Sequence, residues 1–308
     1  MPRQPRIEYE GAIYHVMNRG DRREDIVHGD ADRVLFVETL GETCVKCGWE
    51  VHAWCLMSNH FHLVVETPQG NLVAGMKWFL GTYTIRFNAR HRLRGHLFAG
   101  RYKSIVVDDA DHHYLRRVSD YVHLNPARAG LIGEDDRLEA YPWSSYEDYL
   151  KSPEERPSWL RVDRVLGEHG VQEDNRAGRL EFSRYLETLR GDADTRASHE
   201  GLIKGWRLGS EEFVARLLDQ IEGKTTVNHA AAIRVEAMSQ RAERLISEGL
   251  SMAKWKESDL LHERKGHPLK VDLAKRLRAE TTMSLAWIAR RLHMGRWTYL
   301  SSLLRKCQ

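Results

Sequence analysis

Two histidines that lie two positions apart, His60 and His62, are the residues of this sequence best suited to share a metal ion. The surrounding run 60–66 has the pattern of a β-strand, in which side chains two positions apart point to the same face. Both imidazoles would then project together, while Phe61 and Leu63 face the core. The motif alone leaves a second interpretation open, in which the histidines are simply polar positions on a half-exposed strand.

A tyrosine and an asparagine, Tyr121 and Asn125, form a second element with chemical potential. Four residues apart in a predicted helix, they share one helix face. A phenol beside a metal ion can attack phosphate, because nearby cations favour phenolate over the usual pKa of about 10. Asn125 would add a neutral oxygen ligand to two imidazole nitrogens, with open positions for phosphate oxygens. Alternatively, Tyr121 packs in the core and Asn125 caps the helix before Pro126.

The composition is that of a globular protein. Of 308 residues, 42% are hydrophobic and 30% charged, which allows one large domain or two ordinary ones and excludes a disordered chain. We expect a soluble, cytoplasmic protein, because no run is long and apolar enough for a membrane span and Met1–Arg6 lacks the core of a signal peptide. Cys44 and Cys47 form a C-x-x-C that no second pair completes, so half-buried thiols are predicted.

Positive charge is concentrated in two places. Residues 264–308 hold eleven basic and two acidic residues, a net charge of +9, against −6 for the rest of the chain. Between Glu66 and Asp108 there is no acidic residue, yet seven basic ones occur with interleaved aromatics, which favours a nucleic-acid channel. The alternative is that the aromatics belong to the core. The basic candidates for DNA contact in this stretch are Arg86, Arg90, Arg101 and Lys103, and the aromatics are Tyr83, Phe87, Phe98 and Tyr102.

The order of the predicted elements is β-α-β-β-α-β-α, which describes a ferredoxin-like α+β sandwich with an extra helix. Asp30 is expected to cap the first helix, which would bury Val34, Leu35, Val37, Leu40 and Val45. Residues 151–168 suit a linker, beyond which only helices are predicted, one of them capped by Ser210. The predicted strands are 12–16, 49–56, 61–66 and 102–107, and the predicted helices are 30–47, 72–91 and 111–124.

The chain resembles the REP-associated tyrosine transposases, a group of the HUH single-tyrosine transposases of bacterial insertion sequences. Matching segments occur in order at 14–20, 55–63, 95–103, 121–131 and 141–146, and so cover about residues 9–150. The resemblance implies that His60 and His62 are the HUH pair, that Tyr121 is the nucleophile, and that Asn125 takes the place of a polar metal ligand. The other histidines of this region, His15, His52, His96 and His123, are interpreted as structural or unrelated to the site.

The basic end of the chain has a different pattern. Apolar positions predict three helices over 271–277, 284–292 and 296–306, with Ser284 as a cap and His293 in place of the usual turn glycine. This pattern resembles a helix-turn-helix, whose second helix enters the major groove. A plain three-helix bundle is the alternative. The exposed candidates for DNA contact are Arg296, Trp297, Tyr299 and Ser302.

Together these features predict an HUH nuclease domain at 1–150, a linker and helical region at 151–263, and a helix-turn-helix-like domain at 264–308. The expected activity is metal-dependent cutting and rejoining of single-stranded DNA through a 5′-phosphotyrosine, with Mg²⁺ or Mn²⁺ as cofactor. The expected partner is single-stranded or hairpin DNA, in particular repetitive palindromic elements, and both a monomer and a homodimer are compatible. The alternatives are a catalytically silent DNA-binding repressor that keeps the fold, and a protein that acts on RNA.

Overall fold

A computed structural model describes residues 7–108, 112–190, 207–210, 241–281 and 283–306, together with 212, 213 and 217. The chain forms two compact units, Met1–Glu222 and Gly223–Gln308. The first contains an antiparallel sheet with helices, and the described part of the second is helical. No helix among the described residues is both long and apolar enough to cross a bilayer.

The sheet of the first unit has the strand order β2-β3-β1-β4-β5. Four strands pair antiparallel in the ferredoxin-like order, which confirms the predicted α+β class. The two-residue β5 pairs parallel with β4, in a region where no strand was predicted. The strands are β1 (Ala12–Arg19), β2 (Glu50–Leu56), β3 (His60–Thr67), β4 (Lys103–Val107) and β5 (Arg207–Leu208).

The helices of this unit cover both faces of the sheet. On one face, α1 and α2 pack together, and the rings of Phe36 and Phe79 lie with centroids 5.2 and 5.9 Å from that of Phe61 on β3. On the other face, α3 packs against β2 and β3. The helices are α1 (Asp30–Cys47), α2 (Leu72–His91), α3 (His112–Arg128), α4 (Tyr146–Leu150), α5 (Asp163–Glu168) and α6 (Arg176–Arg190).

Helix α3 does not stop at Asn125 as the sequence predicted but continues through Pro126 to Arg128. Proline inside a helix removes one donor, yet the helical turn is kept here because Ala129 donates to the Asn125 carbonyl and Leu131 to that of Pro126. Asn125 is therefore an internal helix residue, and its side chain is not needed as a cap.

Helix α1 has the predicted bounds but not the predicted cap, and its buried face matches the predicted one only in part. Gly29 is its N-cap residue, and Gly48 ends it in the left-handed conformation that glycine favours. Val34 and Val45 are 46% and 61% exposed, whereas Phe36 is buried. Of the other predicted positions, Leu40 is buried and Leu35 and Val37 are partly buried against the core, so the prediction was right for these three and wrong for the two exposed valines. Both C-x-x-C thiols are fully buried, rather than half-buried as predicted.

The predicted linker at 151–168 is part of the first unit. Val162, Val165 and Leu166 are buried in its core, and the Arg161 amide donates to the Val51 carbonyl of β2. Ser152, Pro153 and Pro157 among charged residues made this stretch resemble a linker, although its short α5 helix packs against α3. The first strand also extends beyond the predicted residue 16, because Asn18 and Arg19 still pair with Phe61 and His60.

The described part of the second unit is an independent helical core. Its helices are α7 over 241–252, α8 (Asp259–His262), α9 (Pro268–Glu280), α10 (Leu285–Arg291) and α11 (Trp297–Lys306). The last three lie where the sequence predicted helices. Ser284 caps α10 by accepting from the Trp287 amide, and His293 has the positive φ of 51° expected of the turn. This core also takes in α7, which lies before the predicted boundary at 264.

Candidate active site

His60 and His62 lie together on β3, on the face of the sheet that α3 covers. Antiparallel pairing sets His60 opposite Arg19 and His62 opposite Met17, so these four side chains belong to one face. The two imidazole centroids are 5.2 Å apart. Two imidazoles that bind one ion at about 2.0–2.1 Å have centroids roughly 5 Å apart, so the pair has the spacing of a shared site.

The outer nitrogens of both rings are occupied by neighbours. His62 Nδ1 lies 3.0 Å from His15 Nε2, and His60 Nδ1 lies 2.7 Å from the Asn59 side-chain oxygen. These contacts leave the Nε2 atom of each imidazole for an ion. A hydrogen bond on the second nitrogen of a metal-binding histidine fixes its tautomer and orientation.

His15 therefore belongs to the candidate site, which the sequence interpretation missed. The residue is completely buried, its ring stacks on His62 with centroids 5.2 Å apart, and it also meets the Tyr121 ring edge-on at 5.7 Å. A lone histidine in a strand carries no signal of this role. The available signal was its position in the matching segment 14–20 together with the β1–β3 register, which only the folded sheet supplies.

Both candidate ligands are uncharged at neutral pH. Burial, aided by the nearby Arg19 guanidinium, lowers the pKa of His60 to about 4. Burial also holds the pKa of His62 well below its usual value, and the neighbouring His15, His60, Arg19 and Arg128 act in the same direction. Because only a neutral imidazole binds a metal ion, these shifts keep both side chains ready as ligands over the physiological pH range.

Tyr121 reaches the histidines from α3. Its ring centroid is 5.4 Å from that of His62, with the two rings nearly perpendicular. Burial raises the pKa of the phenol, while the Arg128 guanidinium and a hydrogen bond with the Asn125 side chain lower it. Arg128 lies over the tyrosine ring, with its Cζ 5.0 Å from the centroid. The helix turn that separates Tyr121 from Asn125 thus brings both side chains to the same side of α3.

Asn125 fits the role of a neutral oxygen ligand. The residue is buried, and its Nδ2 has no hydrogen-bond partner among the described residues. A half-turn of the amide would put the oxygen at that position and direct the NH₂ group toward Tyr121 as a donor. Two imidazole nitrogens, one amide oxygen and open positions make a mixed donor set that suits a divalent ion taking part in phosphate chemistry.

The acid-free stretch supplies core residues as well as surface cations. The four aromatics named above as interleaved with its cations are all buried, so they do not form the predicted stacking surface. Arg86 pairs with Glu42 and Arg90 with Asp32, both acids of α1. Arg101 is exposed. Lys103 is opposite Met17 in the β1–β4 register and therefore lies in the same row as His62.

The remaining histidines of the predicted segments differ in their surroundings. His123 Nε2 lies 2.9 Å from Ser145 Oγ, and burial lowers the pKa of His123 to about 3. His52 Nε2 lies 3.0 Å from the Glu66 carboxylate, and its Nδ1 faces the Arg161 carbonyl. Both are thus engaged inside the first unit, whereas His96 is exposed.

In the second unit, three of the four candidate DNA contacts lie on one face of α11. Arg296 and Trp297 line an open cavity of about 400 Å³ with Arg290, and Trp297 and Ser302 line a neighbouring one of about 370 Å³. Trp297 is 54% exposed. Tyr299 is 44% exposed, but its hydroxyl lies near Gly266, away from the residues that line both cavities.

Comparison with known proteins finds a match within the first unit. A family model described as "Transposase IS200 like" matches residues 8–125, which include β1–β4 and all four proposed site residues. A REP-associated tyrosine transposase bound to a REP hairpin is 14% identical, with 48% of this chain and 84% of that chain covered and a TM-score of 0.40. A transposase structure from Deinococcus radiodurans is 18% identical, with 35% and 88% covered and a TM-score of 0.29. No curated protein matches the chain.

Proposed function

We propose that this chain, whose residues 8–125 belong to the IS200-like transposase family, is a metal-dependent enzyme that cuts and rejoins single-stranded DNA through Tyr121. The substrate we infer is DNA that folds into a hairpin, such as a repetitive palindromic element. The proposal extends to a second DNA contact by the C-terminal unit.

One observation carries the proposal: Tyr121, His62 and His60 are in successive ring contact at 5.4 and 5.2 Å. They come from two elements, α3 and β3, that lie far apart in sequence. A buried tyrosine with only a structural task would be expected among apolar side chains. Here the Tyr121 ring contacts the imidazoles of His62 and His15, with centroids 5.4 and 5.7 Å away, and is accompanied by the cationic Arg128 guanidinium.

His60, His62 and Asn125 are the residues that would hold a divalent ion, for which Mg²⁺ and Mn²⁺ are the candidates. Such an ion would polarise the scissile phosphate and stabilise the negative charge that develops during attack. His15 would keep the His62 ring in place through the 3.0 Å contact between their nitrogens. No nucleotide is needed to rejoin the strand, because the phosphotyrosine conserves the phosphodiester bond energy.

In the cleavage step, each group at the candidate site has a separate role. The Tyr121 oxygen would form a bond to phosphorus as the bond from phosphorus to the 3′ oxygen breaks, which leaves a 5′-phosphotyrosine and a 3′-hydroxyl. The phenol gives up one proton and the leaving oxygen gains one. Arg128 favours the phenolate form, and Asn125 would orient it. The DNA strand would pass Arg101 and Lys103. Lys103 and His62 both pair with Met17 of β1, so their side chains lie on the same face of the sheet.

The C-terminal unit would anchor adjoining DNA through α11. Arg296, Trp297 and Ser302 line the two open cavities. The indole of Trp297 is a large apolar group that is more than half exposed there. A helix that follows a tight turn, is preceded by the exposed Arg296 and begins with the exposed Trp297 resembles a recognition helix. Tyr299 is the weaker candidate because of its position near Gly266.

The test is single-turnover cleavage of a 5′- and 3′-labelled hairpin oligonucleotide with Mg²⁺ or Mn²⁺. The wild-type chain should form a covalent protein–DNA adduct that survives denaturation, and Tyr121→Phe should bind the hairpin but form none. Tyr114→Phe, on the same helix, is the matched control and should behave as wild type. His62→Ala should lose metal-dependent cleavage while hairpin affinity is largely kept.

Two results would contradict the proposal. An adduct formed by Tyr121→Phe would identify a different nucleophile, and full activity in excess chelator would remove the metal from the reaction. Hairpin binding without any cleavage by the wild-type chain would instead favour a DNA-binding repressor. Competition by an RNA hairpin of the same sequence separates the third possibility, since an RNA-directed protein would prefer it.

A further inference from the structure

A second cluster of metal-ligand side chains lies on the opposite side of the sheet from the candidate active site. His28, Asp32 and His91 offer one ligand atom each, and these atoms all lie within 4.8 Å of one another. Among the described residues, this is the one group of three His, Cys, Asp or Glu side chains with such spacing. The three come from separate elements: the loop before α1, the first turn of α1 and the last residue of α2.

We propose that His28, Asp32 and His91 form a transition-metal site, with Zn²⁺ as the ion that fits best. Two imidazoles and one carboxylate are a common three-residue donor set for zinc, with an open position for water. Nitrogen donors favour late transition metals over Mg²⁺, which prefers oxygen ligands.

The carboxylate of Asp32 is the fixed centre of this cluster. The residue is buried, and its Oδ2 accepts a 2.8 Å hydrogen bond from the His28 amide, which orients it. His91 Nε2 lies 2.9 Å from both carboxylate oxygens. Neighbouring ligand atoms on a zinc ion are separated by about 3.3 Å when each bond is about 2.0 Å long, so an ion needs only a small opening of this pair.

The imidazoles of His28 and His91 lie close together because both pack against the ring of Phe87. Their ring centroids are 4.6 Å apart, and those of His28 and His91 lie 5.1 and 4.5 Å from that of the buried Phe87. His28 itself is exposed, so an ion could enter from solvent and keep a water ligand there. Restricting both rings in advance reduces the entropy that metal binding would cost.

Other charges that face the carboxylate do not close the site. Arg90 Nε lies 3.2 Å from Asp32 Oδ1, but this side chain is 52% exposed and can turn to solvent when an ion arrives. The Tyr83 hydroxyl approaches the Asp32 main-chain carbonyl at 3.5 Å and leaves the carboxylate untouched. Arg90, which would compete with the metal ion for the Asp32 carboxylate, is thus exposed, whereas the proposed ligands are held by packing.

An ion at this position would connect α2 to the segment that precedes the HUH pair. The amides of Ile26 and Val27, next to His28, donate to the Ser58 carbonyl, and the Asn59 side chain donates to the Arg23 carbonyl. These contacts end one residue before His60. We therefore expect the ion to stabilise this part of the first unit.

The experiment measures binding of ZnCl₂ and CoCl₂ to the full chain that carries His62→Ala, so that the proposed catalytic site does not contribute. One ion per chain should bind, with the d–d absorption of four-coordinate cobalt, and Zn²⁺ at a hundredfold excess over Kd should raise the Tm by about 5–10 °C. Adding His91→Gln or His28→Gln should weaken binding at least tenfold. His96→Gln, at an exposed histidine outside the cluster, is the matched control and should bind normally.

Two outcomes would overturn the proposal: no zinc or cobalt binding by the His62→Ala chain, or binding that neither His28→Gln nor His91→Gln weakens. His28 lies in an exposed loop, so His28→Gln should fold even if His91→Gln does not. Equal Tm values of the His62→Ala chain with and without His28→Gln, both measured without metal, would show that His28→Gln folds. Because the readout is binding and Tm, the result does not depend on whether the chain cleaves DNA.

Discussion

The charge of Arg128 should set the pH at which Tyr121 becomes a nucleophile. Burial raises the pKa of Tyr121, and the Arg128 guanidinium is the first of the groups that oppose this. Its Cζ lies 5.0 Å from the ring centroid, on an exposed side chain. At that distance the attraction to phenolate is about 0.8 kcal/mol in water and about 1.7 kcal/mol at an effective dielectric constant of 40. Arg128→Gln removes this attraction and should therefore raise the pKa of Tyr121.

The sign of the effect on rate follows from the reactive form. Below the pKa of Tyr121 the fraction of phenolate rises tenfold per pH unit, so a higher pKa shifts the whole rate profile toward alkaline pH. At any pH below that pKa, Arg128→Gln should cleave roughly four- to fifteenfold more slowly, and the deficit should vanish once the phenol is fully ionised. Arg128→Lys keeps the charge and should retain most of the wild-type profile.

The assay is single-turnover cleavage of a saturating hairpin at pH 6.5–9.5, with one fixed metal concentration for all variants. Saturation removes any effect of Arg128 on affinity, and the ratio of variant to wild-type rate cancels the pH dependence of the metal. This range lies below the raised pKa of Tyr121, so the deficit of Arg128→Gln should be the same at every pH. A deficit of the same size in Arg128→Lys, which keeps the charge, would refute the reasoning, because it would mean that Arg128 does not act through its charge on the ionisation of Tyr121.

Three further outcomes follow from the structure. His15→Phe, which removes the contact to His62 Nδ1, should weaken metal binding about 10–100-fold by calorimetry; unchanged affinity would reduce His15 to a packing role. The double variant Arg296→Ala, Trp297→Ala should bind duplex-flanked DNA more weakly, and the slope of log K against log salt concentration should become shallower by about one. Its cleavage of a short hairpin at saturation should stay normal. Gly75→Ala should destabilise the chain by about 1–3 kcal/mol in urea, because its Cβ would lie 2.1 Å from the Trp49 ring, while Gly81→Ala on the same helix has nothing within 4 Å and should be neutral or stabilising. Equal stabilities of the two glycine variants would contradict the packing of α2.

Local patterns in the sequence were sufficient for the elements and for the candidate chemistry. Alternation at 60–66 predicted β3 and the common direction of His60 and His62, because the side-chain period of a strand is two. Spacing of four in α3 put Tyr121 and Asn125 on one side, and apolar periodicity gave α2 with its observed bounds. The three C-terminal helices and the Ser284 cap were equally local, since caps and periodicity depend on neighbours within a few residues.

Only the tertiary structure decided which of these elements meet. His15 is a strand histidine in the sequence, but the β1–β3 register places it against His62 and Tyr121. The aromatics of the acid-free stretch turned out to be core because α2 packs on the sheet, and 151–168 joined the first unit because its few apolar residues find that core. His28, Asp32 and His91 converge from elements up to 63 positions apart. Such contacts depend on the packing of whole elements, and the chain order of residues carries no direct record of that packing.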